Sequence, residues 1–238
     1  MKKVFLTANW RKLAMANYAI NPQILAPYLP YKTEIDFFHG KCFVSLIGFM
    51  FMETRLKGIP IPFHQNFEEV NLRFYVRFKE GNEWRRGAVF IKEIVPRFMI
   101  SLVANTLYGE HYQTTQMAHT WKINGERIET EYAWKSGKWH SFKIETDTQS
   151  KEIEAGSEAE FITEHYWGYT KMNETKTSEY GVEHPKWEIY KTLQYKIECD
   201  FNQNYGADFS FLNFEKPSSV FLVEGSEILV REGRQIGV

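Results

Sequence analysis

The chain has 238 residues, 43% of them hydrophobic and 25% charged, with a formal net charge of −1 and a pI near 6.7. That balance suits a globular protein that buries a sizeable core without staples, and it offers no basic field to nucleic-acid phosphates. No leader-like apolar run follows Lys2-Lys3 and no stretch reaches membrane-spanning length, so the expected setting is cytoplasmic, with no nucleic-acid and no membrane partner.

Aromatic residues make up 16% of the chain, a bias toward strands. No repeat, low-complexity tract or linker divides the sequence, which predicts one domain over residues 1–238. Cys42 and Cys199 lie in separate strand-like segments without CxxC spacing and read as two thiols.

In chain order, Asn21-Pro22 starts a short helix that Pro27 and Pro30 end. Residues 42–51 form an apolar run of strand length. The clearest strand is 69–78, where Val70, Leu72, Phe74, Val76 and Phe78 alternate with Glu69, Asn71, Arg73, Tyr75 and Arg77. Gly81-Asn82 turns the chain into a second strand over 88–95, and Pro96 opens a helix through about residue 107. Asn124-Gly125 predicts a hairpin with both turn residues at positive φ, and Ser136-Gly137 predicts another tight turn. Ser157 and Glu160 form a capping box ahead of a helix carrying Phe161, Ile162 and Tyr166. Strands are expected over 193–199, 220–223 and 228–230, with a short helix around 204–212. The fold class is mainly β (α+β), with most connections as hairpins.

No nucleotide-binding loop, nucleophile elbow or zinc-protease motif is present, and His111 and His119 lack neighbouring ligands for a metal. Four patterns can carry chemistry. The polar face Glu69, Asn71, Arg73 either meets solvent, its charges in cross-strand pairs, or lines a cavity. In a cavity Arg73 grips a carboxylate and Glu69 moves a proton. The segment Tyr108-Gly-Glu110-His111-Tyr112 gathers an acid, an imidazole and two phenols suited to proton transfer, or else closes a helix and enters a strand. Lys92, inside an apolar strand, is either an amine activated by burial or a side chain that snorkels to the surface. Glu164-His165-Tyr166-Trp167-Gly168-Tyr169 and Glu183-His184-Pro185-Lys186-Trp187 form dense aromatic segments that read equally as a lid, a rim or a site.

Several of these segments together resemble the YqjF-like bacterial family: Glu69 to Val76, Gly87 to Pro96, Ala104 to Tyr108 with Glu110 to Tyr112, Phe161 to Tyr169, His184-Pro185 with Trp187, and Ser218 to Ile228. The resemblance runs over nearly the whole chain. It implies the acetoacetate decarboxylase-like fold, an antiparallel β-barrel with a few short helices and an internal cavity. In the decarboxylases a lysine forms a Schiff base with a β-keto acid, its pKa lowered by a neighbouring cation. This sequence departs there, because Tyr112 or Gln113 stands where the paired lysines are expected. The resemblance carries over Glu69, with Arg73 beside it. The expected catalytic groups are therefore Glu69, His111, Tyr112 and Lys92, and the expected substrate-binding groups are Arg73, Asn71, Tyr108 and Glu110. The expected partner is a small carboxylated molecule, with no cofactor and the oligomeric state left open. The reading is an enzyme acting on that molecule or a non-catalytic module binding it.

Overall fold

Strand residues 69–78 alternate apolar and polar because the two faces of the strand meet different surroundings, an apolar core on one side and the interior of the sheet's ring on the other. In the computed structural model, which describes residues 2–96 and 111–237, it forms part of β5 (Phe67–Glu80). The other strands are β1 (Val4–Ile20), β2 (Thr33–Ile35), β3 (Cys42–Leu56), β4 (Ile59–Pro60), β6 (Glu83–Val95), β7 (Tyr112–Thr114) and β8 (Met117–Asn124). They continue with β9 (Arg127–Ser136), β10 (Lys138–Glu152), β11 (Trp167–Asn173), β12 (Lys176–Glu183), β13 (Glu188–Glu198), β14 (Ser219–Arg231) and β15 (Arg234–Gly237). Short helices α1 (Pro22–Leu25), α2 (Glu158–Thr163) and α3 (Phe201–Tyr205) sit between them. No described helix is long and apolar enough to cross a membrane.

The hydrogen-bonded order β12-β11-β6-β5-β3-β1-β14 closes on itself, because β14 also pairs with β12 at Val182↔Val230 and Glu183↔Leu229. The expectation of a barrel is corrected here. The sheet makes a ring, but β14 divides its pairing along its length and gives its other half to β13 at Ile189↔Val223 and Tyr190↔Leu222. From β13 the sheet runs on through β10, β9 and β8 and lies against the outside of the ring. One pairing in the ring is parallel, β6 with β11 at Trp167↔Gly87. Gly87 permits it, since a Cβ there would stand 2.5 Å from the Trp167 carbonyl oxygen.

Two cores follow. Outside the ring, Val70, Leu72 and Phe74 of β5 pack with Tyr132, Trp134 and Phe142 of the extension. Inside it, Phe49, Phe67, Tyr75, Phe161 and Trp187 pack together. Full burial of each such side chain contributes about 1.5–3 kcal/mol. The ring is also tied by charge. Glu179, fully buried on β12, accepts from Arg85 at 3.2 Å, from Arg234 at 2.5 Å and from the Tyr169 hydroxyl at 3.2 Å. Arg234 also donates to Glu80 at 3.1 Å, fastening the C-terminal strand to β5.

Local signals hold at the predicted caps. Asn21 accepts from the Gln23 amide with Pro22 at the first helical position, and Ser157 accepts from the Glu160 amide. Other expectations shift. The first hairpin turns at Gly125-Glu126 rather than Asn124-Gly125, because Asn124 pairs with Arg127 and only Gly125 has positive φ. The segments 220–223 and 228–230 belong to one strand, with Gly225 held in the ladder at φ +82°. The short helix expected over 204–212 divides into α3 and a 3-10 turn over Ala207–Asn213. Strand β1 was not foreseen. The helix expected after Pro96 lies outside the described residues.

Candidate ligand-binding site

Phe67, Glu69, Asn71, Arg73 and Tyr75 occupy alternate positions of β5 and face into the ring. Register sets their neighbours. On β3, Phe49 faces Glu69, Ile47 faces Asn71 and Ser45 faces Arg73. On β6, Glu93 faces Asn71 and Phe90 faces Arg73. Of these, all but Ser45 and Tyr75 line a cavity of about 260 Å³ inside the ring. The solvent-facing reading of this polar row is thereby overturned, since Glu69 is 2% exposed, Asn71 1% and Arg73 9%.

Each polar group has identifiable contacts. The Asn71 amide donates to Glu69 Oε1 at 2.9 Å, and the Tyr112 hydroxyl donates to Glu69 Oε2 at 3.3 Å. Tyr112 is delivered by β7, whose parallel pairing places it beside Glu93. Arg73 Nε donates to the Tyr75 hydroxyl at 3.4 Å, and Tyr75 donates to Ser45 at 2.8 Å. The chain continues from Ser45 to Asn17 at 2.6 Å, from Asn17 to Ser219 at 2.9 Å, and from Ser219 to Glu158. Every donor in this chain points away from Arg73, which fixes the guanidinium from behind. Among the described residues no carboxylate lies within ion-pair distance of Arg73. Among the same residues Asn71 Oδ1 finds no hydrogen-bond partner, although it is buried.

A second group of residues completes the polar part. Helix α2 buries Phe161 and Ile162 and stops at Glu164, whose amide bonds back to Glu160, so the next residue turns inward. That residue, His165, lines the cavity, with Nε2 3.1 Å from Asp36 Oδ2. Asp36 follows β2 and receives Arg86 Nε at 2.6 Å. Burial pushes the Asp36 carboxyl up, but hydrogen bonds from His165 and Arg86 and the Arg86 charge outweigh it and hold the group below its ordinary value. Burial pulls His165 down to about 4, with Arg86 and Arg73 adding to the effect against Asp36. The imidazole is thus neutral at neutral pH, and facing an ionised carboxylate it must carry its proton on Nε2. Its Nδ1 is then an acceptor, buried with no partner among the described residues.

The remaining wall is aromatic. Trp10 meets Phe49 edge-on at 5.3 Å and Phe51 at 5.7 Å, and His184 stacks on Trp187 at 4.0 Å. Burial lowers the pKa of His184 as well. The cavity therefore combines a row of fixed polar groups with flat apolar surface, the composition of a small-molecule site.

Of the sequence candidates, Glu69, Asn71, Arg73 and Tyr112 come together on the cavity wall. His111 does not join them: its side chain is exposed, and its carbonyl accepts the Glu93 amide at 3.2 Å. Lys92 is on the other side of the strand. A bulge at Ile91 shifts the register between Leu72↔Lys92 and Arg73↔Phe90, so Phe90 and Glu93 face inward while Lys92 faces out. There its amine donates to the Asn204 carbonyl, and burial lowers its pKa. Tyr108 and Glu110 lie outside the described residues. No lysine is among the described residues lining the cavity, and residues 97–110 contain none in sequence. The sequence reading missed Glu93 and the Asp36–His165 pair. His165 did fall within a segment singled out for its density of aromatic and titratable groups.

Comparison with solved structures places the fold. The chain superposes on an acetoacetate decarboxylase-like enzyme from Sphingomonas wittichii RW1 with a TM-score of 0.66 and 11% identity, covering 99% of this chain and 94% of that one. Acetoacetate decarboxylase from Legionella pneumophila gives 0.66 and 10%, over 98% and 87%. The enduracididine biosynthesis enzyme MppR in complex with pyruvate gives 0.65 and 13%, over 99% and 91%. At such identities the likeness is one of fold. In sequence, the chain is 26% identical over 164 residues to the uncharacterized protein YqjF of Bacillus subtilis strain 168. That match covers 68% of this chain and 65% of the relative, so the chain spans just under two thirds of the relative's length. The model of the DUF2071 family, described as an uncharacterized conserved protein, matches residues 7–227, and with the acetoacetate decarboxylase-like ring around its cavity the chain belongs to that family.

Proposed function

We propose that the ring cavity binds a small carboxylated molecule, its carboxylate on Arg73, and that Glu69, with Tyr112 and Asn71 bonded to it, handles protons without a covalent step. One observation carries this reading. Arg73 is a 9% exposed guanidinium on the cavity wall with no ion-pair partner among the described residues. A buried cation without a counter-charge is costly, and a bound carboxylate offsets that cost through paired, charge-assisted hydrogen bonds. The analogy with MppR, whose structure holds pyruvate, supports the ligand class. The lack of a lysine on the wall argues against imine chemistry and favours, as a second reading, a binding module that does no chemistry.

Two measurements test this. Sodium borohydride with a set of small keto acids should leave the intact mass unchanged, and a stoichiometric adduct on any lysine would overturn the non-covalent reading. Small carboxylates should raise the melting temperature of the protein, by the equivalent of about 2.7 kcal/mol at a hundredfold excess over Kd. Arg73→Met should abolish that rise. An equal rise in the variant would remove Arg73 from the site.

A further inference from the structure

Among the described residues, the cavity lining holds Asn71 Oδ1 and, with its proton on Nε2, His165 Nδ1, both buried with no hydrogen-bond partner and both able only to accept. Buried polar atoms are nearly always paired, so an orphan on a cavity wall points to a group that arrives with the ligand. His165 is the better defined of the two. It is held on one side by Asp36, which Arg86 holds in turn, and its ring rests against Tyr75 at 4.6 Å and Phe161 at 5.1 Å. The imidazole cannot rotate to satisfy Nδ1 without breaking the Asp36 bond. Arg73 lies against the same Tyr75 ring, its guanidinium carbon 5.4 Å from the ring centroid. One small molecule can therefore touch both groups.

We propose that His165, positioned by Asp36, is the specificity-determining acceptor of the cavity: its Nδ1 receives the O–H or N–H hydrogen of a substituent on the carbon α or β to the carboxylate held by Arg73. This rests on the Arg73 reading and names the substrate class within it. The ligand is a hydroxy or amino carboxylic acid rather than the parent acid or its oxo analogue, because an oxo group would set one acceptor against another. Along β5, Arg73 and Phe67 are about 20 Å apart at about 3.3 Å per residue, with Asn71 and Glu69 between them. The lining runs from Arg73 past Asn71 to Phe49 and Trp10, and an aryl tail on the ligand would match that wall. Arg86 and Asp36 take no direct part. Asp36 holds the proton on Nε2 so that the acceptor nitrogen faces the cavity, while burial first and the Arg86 charge after it keep the ring neutral.

Four probes that share one skeleton test the assignment by calorimetry: 3-phenyllactate, 3-hydroxy-3-phenylpropanoate, phenylpyruvate and 3-phenylpropanoate. One of the two hydroxy acids should bind the full-length protein at least about tenfold more tightly than the parent acid, the worth of one hydrogen bond to a buried group. His165→Phe should close the gap, so that in the variant the hydroxy acid binds no more tightly than the parent acid does. Nitrogen NMR of the wild-type protein with labelled histidine gives a readout that no variant has to survive. The His165 proton should be on Nε2 at neutral pH, and the preferred hydroxy acid, but not the parent, should shift the Nδ1 signal.

Equal binding of all four probes with Arg73 still required would overturn this inference alone, as would a proton found on Nδ1. Parent binding that persists in Arg73→Met would overturn the reading beneath it, and no binding of any probe would contradict both.

Discussion

The buried charges around Glu179 and those around Arg73 are finished in opposite ways. Around Glu179 the carboxylate is matched by Arg85, Arg234 and the Tyr169 hydroxyl, and Arg234 has Glu80 besides. Around Arg73 the same kinds of group are left open. Among the described residues the guanidinium has a phenol at 3.4 Å and no carboxylate, and Asn71 Oδ1 and His165 Nδ1 have no partner. Both clusters cost desolvation energy. In the first, the protein itself offsets that cost and obtains a fastened C-terminal strand. In the second the offset awaits a ligand. A satisfied buried cluster thus marks structure, and an unsatisfied one beside a cavity marks a site.

Breaking the satisfied cluster should have the largest effect. Glu179→Ala leaves Arg85 and Arg234 facing each other across a buried gap, and should lower unfolding free energy by about 3 kcal/mol in a denaturant titration. A loss near zero would mean that Glu80 alone carries the knot.

Acid sharpens the comparison next. His165 is held at about 4, below its usual 6.5, so the unfolded chain takes up a proton across that window that the native chain refuses. Stability should therefore fall on acidification from about pH 6.5 to about pH 4, by about 3 kcal/mol for this group. Asp36, held below its ordinary value, adds a loss in the same direction at still lower pH, as the carboxylate protonates. His165→Phe should flatten the upper part of the curve by about one proton, and an unchanged slope would place the titration elsewhere.

The open cluster should respond differently. Arg73→Met is expected to keep or slightly raise the stability of the ligand-free protein, because it removes an unpaired buried cation. Carboxylate affinity in the same variant should fall by at least about 30-fold, or about 2 kcal/mol. A stability loss as large as that of Glu179→Ala would mean that Arg73 is structural. The smallest effect is expected at Lys92, whose amine is turned away from the cavity. Lys92→Met should leave ligand binding unchanged, and a loss of binding would return that lysine to the site.

Much of this was legible in the sequence, and the rest failed for identifiable reasons. The alternation from Glu69 to Phe78 gives the strand and both of its faces. It cannot say that the polar face looks into a cavity, because that depends on the ring closing through Val182↔Val230. Lys92 stands out as a lysine in an apolar strand, but regular alternation would put it on the face of Phe90 and Glu93 on the other, and the bulge at Ile91 reverses that phase. His165 sits in a recognisable segment, but its partner Asp36 is 129 residues away and no periodicity connects them. Strand β1 escaped because Thr7, Asn9, Arg11 and Lys12 interrupt its apolar pattern. Arg11 bonds to Asn9 at 3.1 Å and Lys12 to Glu224 at 2.5 Å, so the interruptions are partnered at the surface of the ring. In β14, the Glu224-Gly225-Ser226-Glu227 stretch imitates a turn, yet Gly225 stays in the ladder opposite Arg11.

The most direct test of the central claim is a crystal structure of the protein soaked with a bromophenyl-substituted hydroxy acid, the bromine located by its anomalous signal. The carboxylate should pair with the Arg73 guanidinium, the hydroxyl should sit on His165 Nδ1 and the bromine should lie toward Phe49 and Trp10. A ligand seated outside the ring, or Arg73 found in an ion pair with a carboxylate of the protein, would contradict it.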